Sequence, residues 1–237
     1  MGLFDMLANL FNSEEYKKNP VSQNLTDGQL AAINIGAINA EQTGYFCDSM
    51  KTGADISEIK ENLENYYGIT DSFSAVDTLD WLLEKGHRVY FDIIKGLASG
   101  KATGIDGSVP ESREKERINE YISNLEDTLD ELVEENFLSQ KSALANCSIA
   151  AWDMGRLVLV ARCCCDAGYI SEEKAWNYIN NAHIVSKKQY GSWKEFACGY
   201  IIGRAMWSGS NMSLNGIMAI AEGLLQDDES PWMQIEF

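Results

Sequence analysis

Apolar residues recur along this chain at spacings of three and four and show no convincing alternation of period two. The pattern therefore predicts an all-α protein with no significant sheet. Leu3, Phe4, Met6, Leu7, Leu10 and Phe11 form one face of a short N-terminal amphipathic helix, and a polar linker follows, so residues 1–24 read as an appendage. Thr26-Asp27-Gly28-Gln29 has the form of a capping box. It opens a helix of small residues from about Gln29 to Gly44. Asp55 to Tyr67, closed by Gly68, and Ser74 to Lys85, closed by Gly86, are the next two helices. Arg88 to Leu97 adds a further turn or two.

Residues 96–110 hold four glycines among small polar residues and predict a flexible loop. The loop leaves two arrangements of residues 25–237 open: one helical domain, or two subdomains divided there. Beyond it, Ile118, Tyr121, Ile122, Leu125, Leu129, Leu132 and Val133 make an amphipathic stripe between Glu111 and Asn136. Ala143 to Ala167 is apolar almost all round, which marks a central, buried helix ended by Gly168. Ser171 begins another helix. Ser192-Trp193-Lys194-Glu195 is a second capping box whose helix runs to about Trp207, and a last helix spans roughly Ser213 to Leu225. The expected architecture is about eight to ten helices around one buried helix.

Charge narrows the partners. The 237 residues carry a formal net charge of −17, which repels a nucleic-acid backbone or an anionic membrane surface and suits a basic protein partner. Much of that charge lies on the stretch from Glu111 to Asn136, with ten acids against three bases. A solvated surface and an acidic groove are both compatible with it. No apolar run approaches the roughly 20 residues that a membrane span needs. The start lacks the basic region of a secretory signal, and six cysteines without a CxxC pair fit reduced thiols in a cytoplasm.

The informative residues are charges at costly positions. On the central helix Asp153 and Arg156 are three apart and share a face, with Trp152 beside them. On the helix after Ser192, Trp193, Phe196, Ala197, Tyr200, Ile201, Arg204 and Trp207 fall on one stripe, so Arg204 sits on the apolar face. A guanidinium there requires an acid or several acceptors, and Asp153 is the natural partner for Arg204 or Arg156. Two readings are open: a buried network that fixes helix packing, or an anion site walled by Trp152, Trp193 or Trp207. Metal and cofactor chemistry find little purchase. Glu84-Lys85-Gly86-His87 has one Glu-x-x-His spacing, but the second copy that a di-iron bundle needs is missing. The Cys163–Cys165 triplet points in three directions on a helix and cannot chelate jointly.

Several of these residues recur in a longer signature. Ala151-Trp152-Asp153-Met154-Gly155-Arg156 is followed by Gly168-Tyr169-Ile170-Ser171-Glu172-Glu173-Lys174-Ala175-Trp176. Then come Ser192-Trp193-Lys194-Glu195-Phe196, Tyr200-Ile201-Ile202-Gly203-Arg204-Ala205-Met206-Trp207 and Ser230-Pro231-Trp232. Together with Leu79 to Arg88 upstream, they resemble the bacterial domain-of-unknown-function family 1266 over roughly residues 25–232. The resemblance implies a bacterial, cytoplasmic, helical protein in a setting similar to toxin–immunity or contact-dependent interaction systems, and it carries over no catalytic residues. The expected function is a non-catalytic protein-binding module, immunity-like or regulatory. The alternative is an enzyme or sensor for an anionic small molecule at the Asp153, Arg156 and Arg204 cluster.

Overall fold

Helix starts follow local capping chemistry. In a computed structural model that describes residues 16–21, 23–98 and 112–237, Thr26 and Gln29 form the reciprocal capping box at the head of α1, Asp27–Asn34. Asp55 accepts from the Ser57 and Glu58 amides to open α3, Ile56–Tyr67, and Asp71 opens α4, Ser72–Glu84. The remaining long helices are α5, Arg88–Ala98, α6, Ser112–Glu134, α7, Ala150–Asp166, α8, Glu172–Gln189, α9, Trp193–Ser208, and α10, Met212–Gln226. Ser171, Ser192 and Asn211 cap α8, α9 and α10 with their own side chains, each satisfying an amide that the first turn leaves unpaired. The described residues are all-α. The expected N-terminal amphipathic helix and most of the expected 96–110 loop lie outside them.

Three elements differ from the sequence reading, each for a local reason. The small-residue helix from Gln29 to Gly44 is two helices, α1 and α2, Ala37–Thr43. The chain breaks at Gly36, where its backbone lies flat on Val158 of α7. The segment from Ala143 is not yet α7. Residues Lys141–Asn146 form one tight 3₁₀ turn, and the α-helix begins only at Ala150. At α9 the Glu195 carboxylate accepts from the Gly191 amide and not from Ser192, so the second box is only half formed. A short α11, Pro231–Gln234, closes the chain, and the Trp232 indole donates to the Asn34 carbonyl at 2.8 Å, tying it back to α1.

The centre of the molecule is α7. It packs against α2, α3, α4, α8 and α9, while α6 packs on α9. Leu157, Val158, Val160 and Ala161 are fully buried. Each of the larger side chains contributes about 1.5–3 kcal/mol relative to exposure. Close approach of α7 and α9 depends on Gly203, because a Cβ there would come within 2.4 Å of the Trp152 Cβ. Helices before and after the 99–111 segment share one hydrophobic core, from Ile59 and Leu82 to Leu125, Tyr200 and Leu224.

The buried helix also carries Arg162, which no apolar environment accommodates unaided. Its Nη2 donates to the Phe46 and Lys51 carbonyls at 2.6 and 2.9 Å, and its Nε to Met50 at 3.3 Å. One turn on, Asp166 accepts from the Thr52 amide and hydroxyl and pairs with Lys51. Together they pin residues 46–52 to α7. The neighbouring thiols of Cys163 and Cys164 are raised to about 12 by burial, so they stay protonated and pack as small apolar groups.

Candidate functional site

α5 begins without a cap of its own, since Lys85-Gly86-His87 offers no hydroxyl, amide or carboxylate side chain to its first amides. Asp153 of α7 supplies one across the core. Its Oδ1 accepts from the His87 amide at 2.8 Å and its Oδ2 from the Arg88 amide at 3.0 Å. The approach is possible because residue 86 is glycine. Its φ is +61°, and a Cβ there would fall 2.2 Å from the carboxylate. The same carboxylate takes Arg156 Nη2 at 2.7 Å and Arg88 Nη1 at 3.2 Å. With four donors on two oxygens, its acceptor sites are filled. Burial alone raises its pKa, but His87, Arg156 and the backbone amides outweigh that, and the carboxyl is held below its ordinary value.

His87 completes this arrangement. Its Nδ1 lies 2.9 Å from Arg156 Nη2, a donor, which assigns the neutral tautomer with the proton on Nε2. Burial lowers its pKa, reinforced by the charge of Arg156 and opposed by Asp153. The ring stands edge-on to Trp81 at 5.1 Å and near Tyr90 and Tyr121.

Arg156 turns the cluster toward α9. Its Nε bonds the Trp152 carbonyl, and its guanidinium lies 4.4 Å from the centre of the Trp152 ring. On α9, Arg204 reaches the same tryptophan at 5.7 Å and stacks on Trp207 at 4.7 Å. Arg204 is only 8% exposed; its Nη2 donates to the Ser213 hydroxyl, and its Nη1 has no partner among the described residues. Burial and the neighbouring Arg156 both disfavour its charge. A guanidinium nevertheless does not give up its proton in a protein.

Around this arginine other polar atoms are buried without partners among the described residues. They are the Trp152 Nε1, the Tyr200 hydroxyl and the Asn39 Oδ1. Tyr200 packs edge-on to Trp152 at 5.1 Å. Asn39 and Tyr200 meet over Gly155, where an added Cβ would lie 3.0 Å from Asn39 Oδ1 and 2.8 Å from Tyr200 Cε2. The Asn39 amide lies close enough to ease ionisation of the phenol, which burial opposes far more strongly, yet the two form no well-aligned hydrogen bond. Three arginines and one aspartate meet here, so the cluster carries a positive excess in a water-poor setting. Trp207, 44% exposed, stands at its outer edge.

The structure thus gathers Trp152, Asp153, Arg156, Arg204 and Trp207, and of the two partners expected for Asp153 it pairs Arg156, at 2.7 Å. Asp153 is not the partner of Arg204. It is taken up by α5 and Arg156, and Arg204 has no acid partner among the described residues. Trp193 is also elsewhere. It shares the stripe with Arg204 but stands at the opposite end of α9, and three helical turns separate them by about 16 Å. It stacks on Trp232 at 5.0 Å and donates its indole proton to the Ile235 carbonyl. Sequence reasoning missed His87, Arg88 and Asn39 as neighbours, whereas Tyr200 shares the predicted stripe with Arg204. The signal for the first two was the uncapped start of α5, which requires an acceptor from another element. No group of three or more metal-ligating side chains gathers among the described residues.

A helical domain with a buried, positively biased polar cluster is therefore the class that fold and site define. The chain belongs to the family described as a protein of unknown function, DUF1266, whose model matches residues 62–237, from within α3 to the last residue. No curated protein and no solved structure matches it significantly.

Proposed function

We propose that this protein binds a small anion at Arg204, beside Trp152, Tyr200 and Arg156, and that it acts as a ligand-responsive binding protein. The observation that carries this reading is Arg204: a buried cation without a carboxylate, with Nη1 unpartnered among the described residues. Leaving such a group buried costs several kcal/mol, by order of magnitude. That cost is offset when an anion supplies the missing acceptor. The Trp152 indole and the Tyr200 hydroxyl, both unpartnered among the described residues, favour the same ligand, and the guanidinium lies over the Trp207 ring at 4.7 Å.

The test is ligand-induced stabilisation, since a ligand that binds only the folded state raises its apparent stability by mass action. Millimolar acetate, sulfate and inorganic phosphate at constant ionic strength are expected to raise the melting temperature through at least one member. Arg204→Met should abolish the shift. If no anion stabilises the wild type, or if the variant responds equally, the reading fails.

A second reading rests on a different surface. The acidic residues of α6, among them Glu116, Glu120, Glu126, Asp127, Asp130 and Glu134, line the helix around a buried stripe of Ile118, Tyr121, Leu125 and Leu132. Such a face supports association with a basic protein, steered by charge and weakened by salt. Retrieval of a basic partner at low salt that is lost at high salt would support it, and retrieval of none would count against it. No described helix is long and apolar enough to cross a membrane. The six free thiols support a reducing compartment such as a bacterial cytoplasm.

A further inference from the structure

We infer that His87 is a proton switch on the arginine cluster: a proton taken on Nδ1 turns the ring from the acceptor of Arg156 into a rival donor and releases Arg156 from Asp153. The switch needs no ligand at Arg204, so it stands or falls apart from the anion-binding reading. Three atoms set it up. His87 Nδ1 lies 2.9 Å from Arg156 Nη2 and 3.7 Å from Asp153 Oδ1, and Nη2 is itself 2.7 Å from that same oxygen. In the neutral ring Nδ1 accepts from Nη2, and each of the three atoms has a partner. Once protonated, Nδ1 carries a hydrogen that faces those of Nη2, and two cations compete for one carboxylate oxygen.

Lone pairs decide which donor yields. A carboxylate has about four acceptor sites, and at Asp153 the His87 and Arg88 amides, Arg88 Nη1 and Arg156 Nη2 fill them. A fifth donor must displace one of these. The two amides cannot leave without uncapping α5. Arg88 is held in addition by the Leu82 and Leu83 carbonyls. Arg156 is the movable one, because the Trp152 carbonyl on its Nε and the Trp152 ring under its guanidinium still hold it once Nη2 leaves. The charged and titratable groups around the ring are Asp153 and Arg156 from α7, Arg88 and Tyr90 from α5, and Arg117 and Tyr121 from α6, while α4 contributes the edge of Trp81. Asp153 is the one acid among them. Protonation therefore adds a positive charge to a cluster that already sets three arginines against one aspartate, and it does so beside Trp152, the ring that Arg156 shares with Arg204.

The experiment is a pH titration of the full chain by nitrogen NMR, following the imidazole nitrogens and the Arg156 Nε–H, with circular dichroism on the same samples to follow the helices. The chain has two histidines, so His87 and His183 are told apart by a single variant. The His87 Nδ1 and Arg156 Nε signals are expected to move together, with one midpoint, while the helical signal is retained. In His87→Gln the side-chain amide oxygen still accepts from Arg156 but takes no proton, and the Arg156 signal should stay fixed through the same window. Arg156→Met, which serves as well if the first variant does not fold, removes the rival cation and should raise the proton affinity of His87 about tenfold, a shift of about one pH unit. An Arg156 signal that ignores the His87 titration, or that moves equally in His87→Gln, overturns the switch. So does loss of the helices before His87 takes its proton.

Discussion

Two buried arginines of this molecule, Arg162 and Arg204, meet opposite fates, and the contrast separates structural charge from available charge. Arg162 is enclosed by three backbone carbonyls that point at its guanidinium, and the acid next to it fastens the same loop. Three of its N–H donors are spent on that loop. Arg204 is also buried, with one hydroxyl partner and a free N–H edge, and its walls are aromatic rings and not acceptors. Both carry a desolvation cost. Only the first is offset within the described fold, which is why the second is the candidate for binding.

Substitution should sort the two. Arg162→Met leaves the Phe46, Met50 and Lys51 carbonyls buried without donors, and the loss is expected to reach about 3–5 kcal/mol, read from urea unfolding. Gly86→Ala follows at about 3 kcal/mol, because it forces a left-handed backbone on a residue with a Cβ and drives that carbon into the Asp153 carboxylate. A loss below about 0.5 kcal/mol in either would show that the clamp or the Asp153 cap is not needed in this geometry.

A smaller effect is expected from pH. His87 is held neutral, with its pKa below the ordinary 6.5, so the unfolded chain binds more protons than the folded one as pH falls. Its contribution is therefore complete above about pH 6.5 and lost as pH drops through the folded value. The other histidine, His183, is also lowered by burial and adds to the same slope. His87→Gln should flatten stability against pH in that window, and an unchanged slope would assign it to His183 alone. The smallest effect belongs to Arg204→Met, which should leave unliganded stability within about 1 kcal/mol of wild type or raise it, as replacement of an uncompensated buried charge by a matched apolar chain does. A loss as large as that of Arg162→Met would erase the contrast and make Arg204 structural.

Much of the fold was legible because its signals are local. Thr26, Ser171 and Ser192 cap helices by hydrogen bonds to residues within three positions. The stripe on α6 needs only a helical period to be seen. The break at Gly36 was not legible, since it depends on Val158, far along the chain. The site was legible in part. Charges on apolar faces pointed to Asp153, Arg156 and Arg204, whereas their pairing depended on how three helices meet. By sequence Asp153 could serve Arg204 or Arg156, and only the meeting of α5 with α7 shows that the start of α5 takes the same carboxylate.

What the sequence alone determined is therefore the helices, most of their ends, the buried character of α7 and the acidity of α6, all set by capping chemistry and periodicity within a few residues. The tertiary structure alone decided which buried charge is neutralised. Asp153 has a limited set of lone pairs, α5 and Arg156 reach them first, and Arg204 is left with a donor that no described residue accepts.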